Sequence, residues 1–300
     1  MNEKPATPSI LVLGAINQDE IARVARHPSP GETVLADSLE QSSGGKGANQ
    51  AAAAARSGFQ VKVSMLGAVG DDPSGTEQLR ALQTAGVDTD LVRTVTGACT
   101  GRALITVSDD GENSIIVSAG ANAMVSPVEF EGAPWPQLVV GQTEVGAAPV
   151  DALARFATMS GARLVLNNAP VRRLSRRTLE QADPLVVNEH EAADVIGRSA
   201  ASPIELATEV RRQTSARSVV VTLGARGSVI ADDDGARTVS AVAAQVVNDT
   251  TGAGDVFVGN LAAALAHRFS LDDAVRHAAT AAAVAVTWHG ARAPENAAPA

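Results

Sequence analysis

Three hundred residues with 45% hydrophobic content can bury a large core, but aromatics make up only 2% of the chain and tyrosine is absent, so that core must be built from Ala, Val, Leu and Ile. Scarce aromatics argue against a stacking platform for bases or polysaccharide, and a net charge of −9 against a nucleic-acid or anionic-membrane surface. A small phosphate pocket made of backbone N–H groups stays open.

The single cysteine, Cys99, allows no intrachain disulfide, and the five histidines are scattered without metal-type spacing. The polar start, Met1-Asn2-Glu3-Lys4-Pro5, leads into an apolar run at residues 10–13 that is too short for a signal peptide or a membrane span. The expected setting is cytoplasmic, with no membrane partner.

Along the chain, short apolar runs at 10–14, 61–66, 138–140, 163–166, 184–187, 219–223 and 228–231 predict strands. Helical stretches at 48–57, 75–85, 150–160 and 204–214 alternate with them. The strands are apolar throughout, as in a parallel sheet covered on both faces, so the pattern predicts a doubly wound α/β domain. Two regions break it. Residues 16–43 carry Pro and Gly with an extended stretch at 32–35. Residues 97–120 hold two β-type runs, 103–107 and 114–117, joined by the turn Ser108-Asp109-Asp110-Gly111-Glu112-Asn113. Together they predict a small extra sheet, either a lid over a reacting site or a surface hairpin. A long small-residue helix at 271–288 precedes a Pro/Ala-rich tail. One domain, 1–300, with a lid from about 16–43 and 97–120 is the simplest division.

The strongest chemical signal is Asn248-Asp249-Thr250-Thr251-Gly252-Ala253-Gly254-Asp255, before an apolar helix at 256–266. Glycines expose backbone N–H groups, and a helix start adds a positive dipole end, which together suit phosphate oxygens. Asp255 beside them would repel a bound anion but serve as base for an approaching hydroxyl. Read locally, that role and a plain helix cap stand about even.

A second glycine loop, Ser43-Gly44-Gly45-Lys46-Gly47-Ala48-Asn49-Gln50, lacks Walker A spacing, and the chain has no G-x-G-x-x-G, since Phe257 stands at the third glycine. Asn17 and Asp19 lie two apart after the first strand, so in extended chain they face the same way and suit vicinal hydroxyls. Asn188-Glu189-His190-Glu191 and Thr222-Leu223-Gly224-Ala225-Arg226-Gly227 each follow a predicted strand, where a hydrated Mg²⁺ or a nucleotide could be held; taken alone, each reads better as a solvated loop.

These motifs in this order resemble the ribokinase-like members of the phosphofructokinase-B carbohydrate kinase family, from Gly14 to about Arg292. The resemblance rests most on Gly44–Ala51 and Asp249–Asp255, supported by Pro30-Gly31-Glu32-Thr33-Val34, Gly111-Glu112-Asn113 and Ala119-Gly120-Ala121-Asn122. It implies a ribokinase-like three-layer α/β/α domain with a mostly parallel sheet and a β-sheet lid that pairs with a second lid in a homodimer. It further implies ATP-dependent phosphorylation of the 5-hydroxyl of D-ribose. Deoxyribose, fructose, 2-keto-3-deoxygluconate or a nucleoside are substrates for other members, and a non-catalytic sugar-binding regulator is the reading from another class.

The implied roles are these. Asp255 is the base, and the amides of Gly252, Ala253 and Gly254 form an anion hole. Asn17, Asp19, Gly45, Lys46, Asn49 and Glu144 surround the sugar. Asn188, Thr222, Gly224 and Gly227 contact ATP, with Glu191 organising Mg²⁺ through water. Asp249 and Thr251, with carbonyls near Ala285, Trp288 and Gly290, hold a monovalent cation, usually K⁺. The chain departs from the family pattern at Pro294, where a Ser is frequent near the cation, at Ala279 beside the adenine, at Asn167-Asn168-Ala169-Pro170, and at Arg102 in the lid strand. An inward Arg102 would favour a more anionic substrate.

Overall fold

The computed structural model describes residues 7–126, 130 and 133–294; the polar start at 1–6 and the end of the Pro/Ala-rich tail at 295–300 lie outside the described residues. In chain order the strands are β1 Ser9–Leu13, β2 Asn17–Val24, β3 Ser38–Gly44, β4 Lys62–Gly70, β5 Val87–Asp88, β6 Val92–Val95, β7 Gly101–Ser108, β8 Asn113–Ser118, β9 Leu138–Gln142, β10 Arg163–Asn167, β11 Ala182–Asn188, β12 Val219–Thr222, β13 Ser228–Asp232 and β14 Gly235–Val239. The helices are α1 Lys46–Ala55, α2 Pro73–Thr84, α3 Ala147–Ser160, α4 Arg176–Gln181, α5 Glu189–Ile196, α6 Pro203–Thr214, α7 Ala253–Ala266 and α8 Leu271–Ala285.

The main sheet has ten strands in the order β14-β13-β12-β11-β10-β9-β1-β4-β5, with β6 also on β4. It is parallel from β12 to β5, and β13 and β14 are antiparallel. Each central strand is apolar on both faces because both are covered. Leu11, Leu13, Leu164, Leu166 and Leu185 pack with Val150, Leu153, Phe156, Leu206 and Val210 of α3 and α6 on one side. Ile10, Val12, Val63, Met65, Val165 and Val220 pack with α1, α7 and α8 on the other. Three α/β/α layers result, as the sequence pattern requires.

β2, β3, β7 and β8 form a separate four-stranded sheet in the order β3-β2-β7-β8. Its β7–β8 hairpin matches the expected one, but the extended stretch at 32–35 stays unpaired and the partner of β2 is the polar 38–44 segment. Neither β2 nor β3 shows apolar alternation, which is why periodicity missed them. Also missed was α5: the Asn188–Glu191 motif is a full capping box that opens a helix rather than a loop. The terminal helix stops at Ala285, three residues short of expectation, and Trp288 sits in a turn closed onto the Ala285 carbonyl.

What positions the site is the contact between α1 and α7. α7 is buried at every position from Asp255 to Ala266, as expected for a helix that is apolar all round. Alanines 48, 51 and 54 of α1 are fully buried against it, so the two backbones approach closely. A Cβ placed on Gly259 would sit 2.5 Å from the Gln50 carbonyl oxygen and 2.7 Å from Ala53 Cβ. Helix propensity alone makes Gly→Ala worth about 1 kcal/mol of stabilisation. Here the contact should reverse the sign: Gly259→Ala is expected to lower the thermal midpoint, measured by circular dichroism, and a raised midpoint would show that the helices have room to part.

Candidate active site

The C-terminal ends of the parallel strands gather the polar residues, the place where open α/β sheets receive ligands. Gln142 and Asn167 are register neighbours at the ends of β9 and β10, and Asn188 and Thr222 at the ends of β11 and β12. α1 and α7 bring their first turns to the same rim.

Asp255 lies at the third position of α7 and is 7% exposed. It does not cap its helix: the N-cap is Gly252, in the left-handed region at φ 76°, and no side chain caps this end. The carboxylate instead reaches α1, accepting from Asn49 Nδ2 at 3.1 Å and Gln50 Nε2 at 2.9 Å. Gln50 also donates to Asn167 Oδ1 at 2.9 Å, and Asn167 donates to the Val186 carbonyl at 3.1 Å, which fixes its own oxygen toward Gln50. Burial pushes the Asp255 carboxyl above the ordinary carboxylate range, opposed by Lys46, by these two amides and by Arg292. The same proximity raises Lys46, chiefly through Asp255, against the effect of burial.

Asn17 and Asp19 do face the same way, opposite Gly44 and Ser42 of β3 and Gly101 and Ala103 of β7. Glycine is needed on both sides. A Cβ on Gly101 would fall 2.3 Å from Asn17 Oδ1, and one on Gly44 would fall 2.0 Å from Asp19 Oδ1. Asn122 holds Asn17 by donating to its Oδ1 at 2.8 Å. Burial pushes Asp19 up to about 6, with Arg292 and Lys46 pulling it down and Asp255 adding to the rise. Glu144 accepts from the Lys46 backbone N–H at 3.0 Å, and burial likewise pushes it up to about 6, countered by Lys46. Gly45, at φ 85°, makes the turn that joins β3 to α1. The sugar-site candidates of the sequence are thus on one rim.

Asn188 accepts from Glu191 N–H at 2.8 Å, and Glu191 accepts from Asn188 N–H at 2.8 Å. Burial raises Glu191. Gly224 and Gly227 carry φ of 58° and 89°, and a Cβ on Gly227 would sit 2.2 Å from the Val239 carbonyl oxygen. Further along, Asp249 accepts from Thr251 N–H at 2.8 Å and from Gly290 N–H at 2.9 Å, and Asn248 N–H donates to the Val286 carbonyl at 2.8 Å. Partial burial works against ionisation of Asp249, but the Thr251 and Gly290 hydrogen bonds outweigh it and hold its carboxyl below the usual range. The loop at 248–254 and the turn after α8 are therefore stitched together through the residues expected around a monovalent cation.

Arg102 is not a free inward cation. Alternation puts it on the face of β7 shared with Glu20 of β2, and it pairs with Glu20 Oε1 at 3.0 Å. Sequence reasoning gave no role to Gln50, Asn122, Gln142, Asn167 or Arg292. Gln50 stood out only as an amide beside Asn49 ahead of an alanine run; Arg292 had no local signal.

Residues 7–298 match the model of the pfkB family carbohydrate kinases. A ribokinase of Haemophilus influenzae is 35% identical over 95% of this chain and 94% of its own length. A ribokinase of Schizosaccharomyces pombe is 37% identical over 94% and 93%. The structure of Arabidopsis thaliana ribokinase complexed with ribose and ATP superposes with a TM-score of 0.85 at 30% identity, covering 95% of this chain and 94% of that one. Fold and site together define an ATP-dependent sugar kinase. The chain belongs to the pfkB family of carbohydrate kinases.

Three outcomes follow from this geometry. Gly44→Ala should displace the Asp19 carboxylate, raising the sugar KM at least tenfold while leaving the ATP KM near wild type; an unchanged sugar KM would remove Asp19 from the sugar site. Lowering pH through about 6 protonates Asp19 and Glu144, so sugar affinity should fall there. Stability should move the other way. Both groups are raised in the folded state, so their contribution is present at low pH and lost as pH rises through about 6. The sugar-free protein should melt at a higher temperature at pH 5.5 than at pH 7.5, read by calorimetry with and without sugar.

Proposed function

We propose that this chain transfers the γ-phosphoryl group of ATP to the 5-hydroxyl of D-ribose, giving ribose 5-phosphate and ADP. The observation that carries the reading is a buried carboxylate, Asp255, set between an uncapped helix start and the Asn17–Asp19–Asn49 rim. The full-length similarity to ribokinases supports ribose as the substrate.

Sugar hydroxyls would be held by Asn17, Asp19, Asn49, Lys46 and Glu144, with ionised carboxylates accepting and amides donating. The primary hydroxyl would donate to Asp255. An ordinary aspartate, with a pKa of about 4, is a weak base at neutral pH; burial strengthens it, and the proton needs to leave only as the phosphoryl group is already departing. Developing negative charge meets the first turn of α7. Among the described residues beyond its own helix turn, none comes within 4 Å of where a Cβ on Gly254 would stand.

ATP would lie against Asn188, Thr222, Gly224 and Gly227. Glu191 suits a water-mediated contact to Mg²⁺, which when bound would neutralise phosphate charge; its capping bond leaves carboxylate lone pairs for water. Asp249 with the carbonyls of the 285–290 turn is an oxygen donor set suited to K⁺, which would firm the loop that carries Gly252–Gly254.

The four-stranded sheet is proposed as the lid, closing over the site from the Asn17–Asp19 face. Its opposite face exposes Leu39, Leu104 and Ile116, which supports a homodimer through this sheet. Among the described residues no helix is long and apolar enough to cross a membrane.

A panel of sugars with ATP and Mg²⁺, followed by ADP release, is the direct assay. Ribose is expected to give the highest kcat/KM, ahead of 2-deoxyribose, fructose and nucleosides; a different leading substrate would overturn the assignment. Asp255→Asn should keep nucleotide binding and lose roughly two to four orders of magnitude in kcat.

A further inference from the structure

Arg292 stands in the turn after α8, just past Gly290 and far in sequence from the Gly44–Ala51 loop, yet its guanidinium enters the site. Nε donates to Asn49 Oδ1 at 2.8 Å and Nη2 donates to the Gly44 carbonyl at 2.9 Å. Among the described residues Nη1 is buried with no hydrogen-bond partner, so the guanidinium is oriented by these two hydrogen bonds beside the charges of Asp19 and Asp255. Arginine offers only donors. The Asn49 atom that meets it must therefore be the amide oxygen, which turns the amide nitrogen toward Asp255. An ionised Asp255 only accepts, so the chain of polarity from Arg292 through Asn49 to Asp255 has one consistent direction.

We propose that Arg292 is a positioning residue that locks the Asn49 carboxamide with its N–H edge toward Asp255 and the sugar. The lock has a consequence for recognition. With its oxygen turned to Arg292 and one amide hydrogen given to Asp255, Asn49 has its second amide hydrogen for a sugar hydroxyl, which in that pose passes its own proton to a carboxylate, Asp19 or Asp255. Gly44, the other anchor, is the residue against which Asp19 packs. One guanidinium thus ties together the β3–α1 turn, the amide and the two carboxylates. The inference rests on the sugar-kinase reading for its kinetic arm but not for its spectroscopic one.

The test uses Arg292→Met and Arg292→Lys in the full chain, each in the wild-type and Asn49→Ala backgrounds. Losing a hydrogen bond that orders a charged site corresponds to a roughly ten- to hundredfold fall in kcat/KM for the sugar, with the ATP KM unchanged. In the Asn49→Ala background the same Arg292→Met substitution should cost less than about threefold, since the residue through which it acts is gone. Arg292→Lys, keeping the charge and one donor, should recover part of the loss and guards against a variant that merely unfolds. Equal factors in the two backgrounds overturn the proposal.

Carbon-13 carboxyl titration of the sugar-free protein, with Asp255 assigned through Asp255→Asn, reads the same lock without turnover. The charged groups facing Asp255 are Lys46, Arg292, Asp19, Glu144 and Glu191. Asp255 should titrate at higher pH in Arg292→Met than in wild type, and by more than the same substitution causes in the Asn49→Ala background, where only the lost charge acts; equal displacements in the two backgrounds overturn the proposal. If wild type phosphorylates no sugar, the functional reading fails while the titration still decides the role of Arg292.

Discussion

One buried carboxylate organises this site. Taking an ionised Asp255 out of water at the seam of two helices would cost several kcal/mol if it stood alone. The surroundings meet that cost with two amide donors and two cations, all supplied from outside its own helix. Each donor is in turn held by a fixed partner: Asn49 by Arg292, Gln50 by Asn167, and Asn167 by the main chain of β11. The compensation stops short of completion, so the carboxyl stays above its ordinary range and keeps some basicity. A fully satisfied aspartate would be a poor base, and an unsatisfied one would be neutral.

That arrangement depends on how close α1 and α7 come, and the closeness depends on composition. A core of alanine and valine with few aromatics lets α1 approach α7 until Gly259 meets the Gln50 backbone. Larger side chains at Ala48, Ala51 or Ala54 would move Asn49 and Gln50 away from Asp255. The scarcity of aromatics, which at first only excludes base stacking, is thus part of how two helix ends are brought within one hydrogen bond of each other.

The main sheet was legible in sequence because strands buried on both faces are apolar throughout, and the glycine loops were legible because their backbones need glycine at Gly45 and Gly252. The second sheet was only half legible. β7 and β8 have a turn between two β-type runs, whereas β2 and β3 are polar strands whose pairing is set by Asn17, Asp19 and their glycine partners rather than by a core. Asp255 read equally as cap or base, and its acceptor geometry toward α1 removes the cap reading. Arg292 was illegible, since nothing in a Gly-Ala-Arg-Ala turn says that its side chain reaches residues 243 and 248 positions earlier. Long-range partners of this kind are fixed by topology, which no local pattern carries.

The two glycine loops look alike in sequence, yet the fold gives their helix starts opposite tasks. α2, α4, α5, α6 and α8 are each capped by a side chain of their own N-cap residue, while α1, α3 and α7 begin at glycine, and of these three α1 and α7 open at the site. At α1 the positive end is taken by a protein anion, with Glu144 accepting from Lys46 N–H. At α7 the carboxylate that its own first turn supplies is drawn away to Asn49 and Gln50, and the space beside Gly254 is left open. One helix start therefore meets a protein anion and the other has no side-chain cap, which under the proposed function would suit the first to uncharged hydroxyls and the second to an anion from outside. Asp255 belongs to the second start and is hydrogen-bonded to the first, which is where the proposed transfer from phosphate to hydroxyl would need its base.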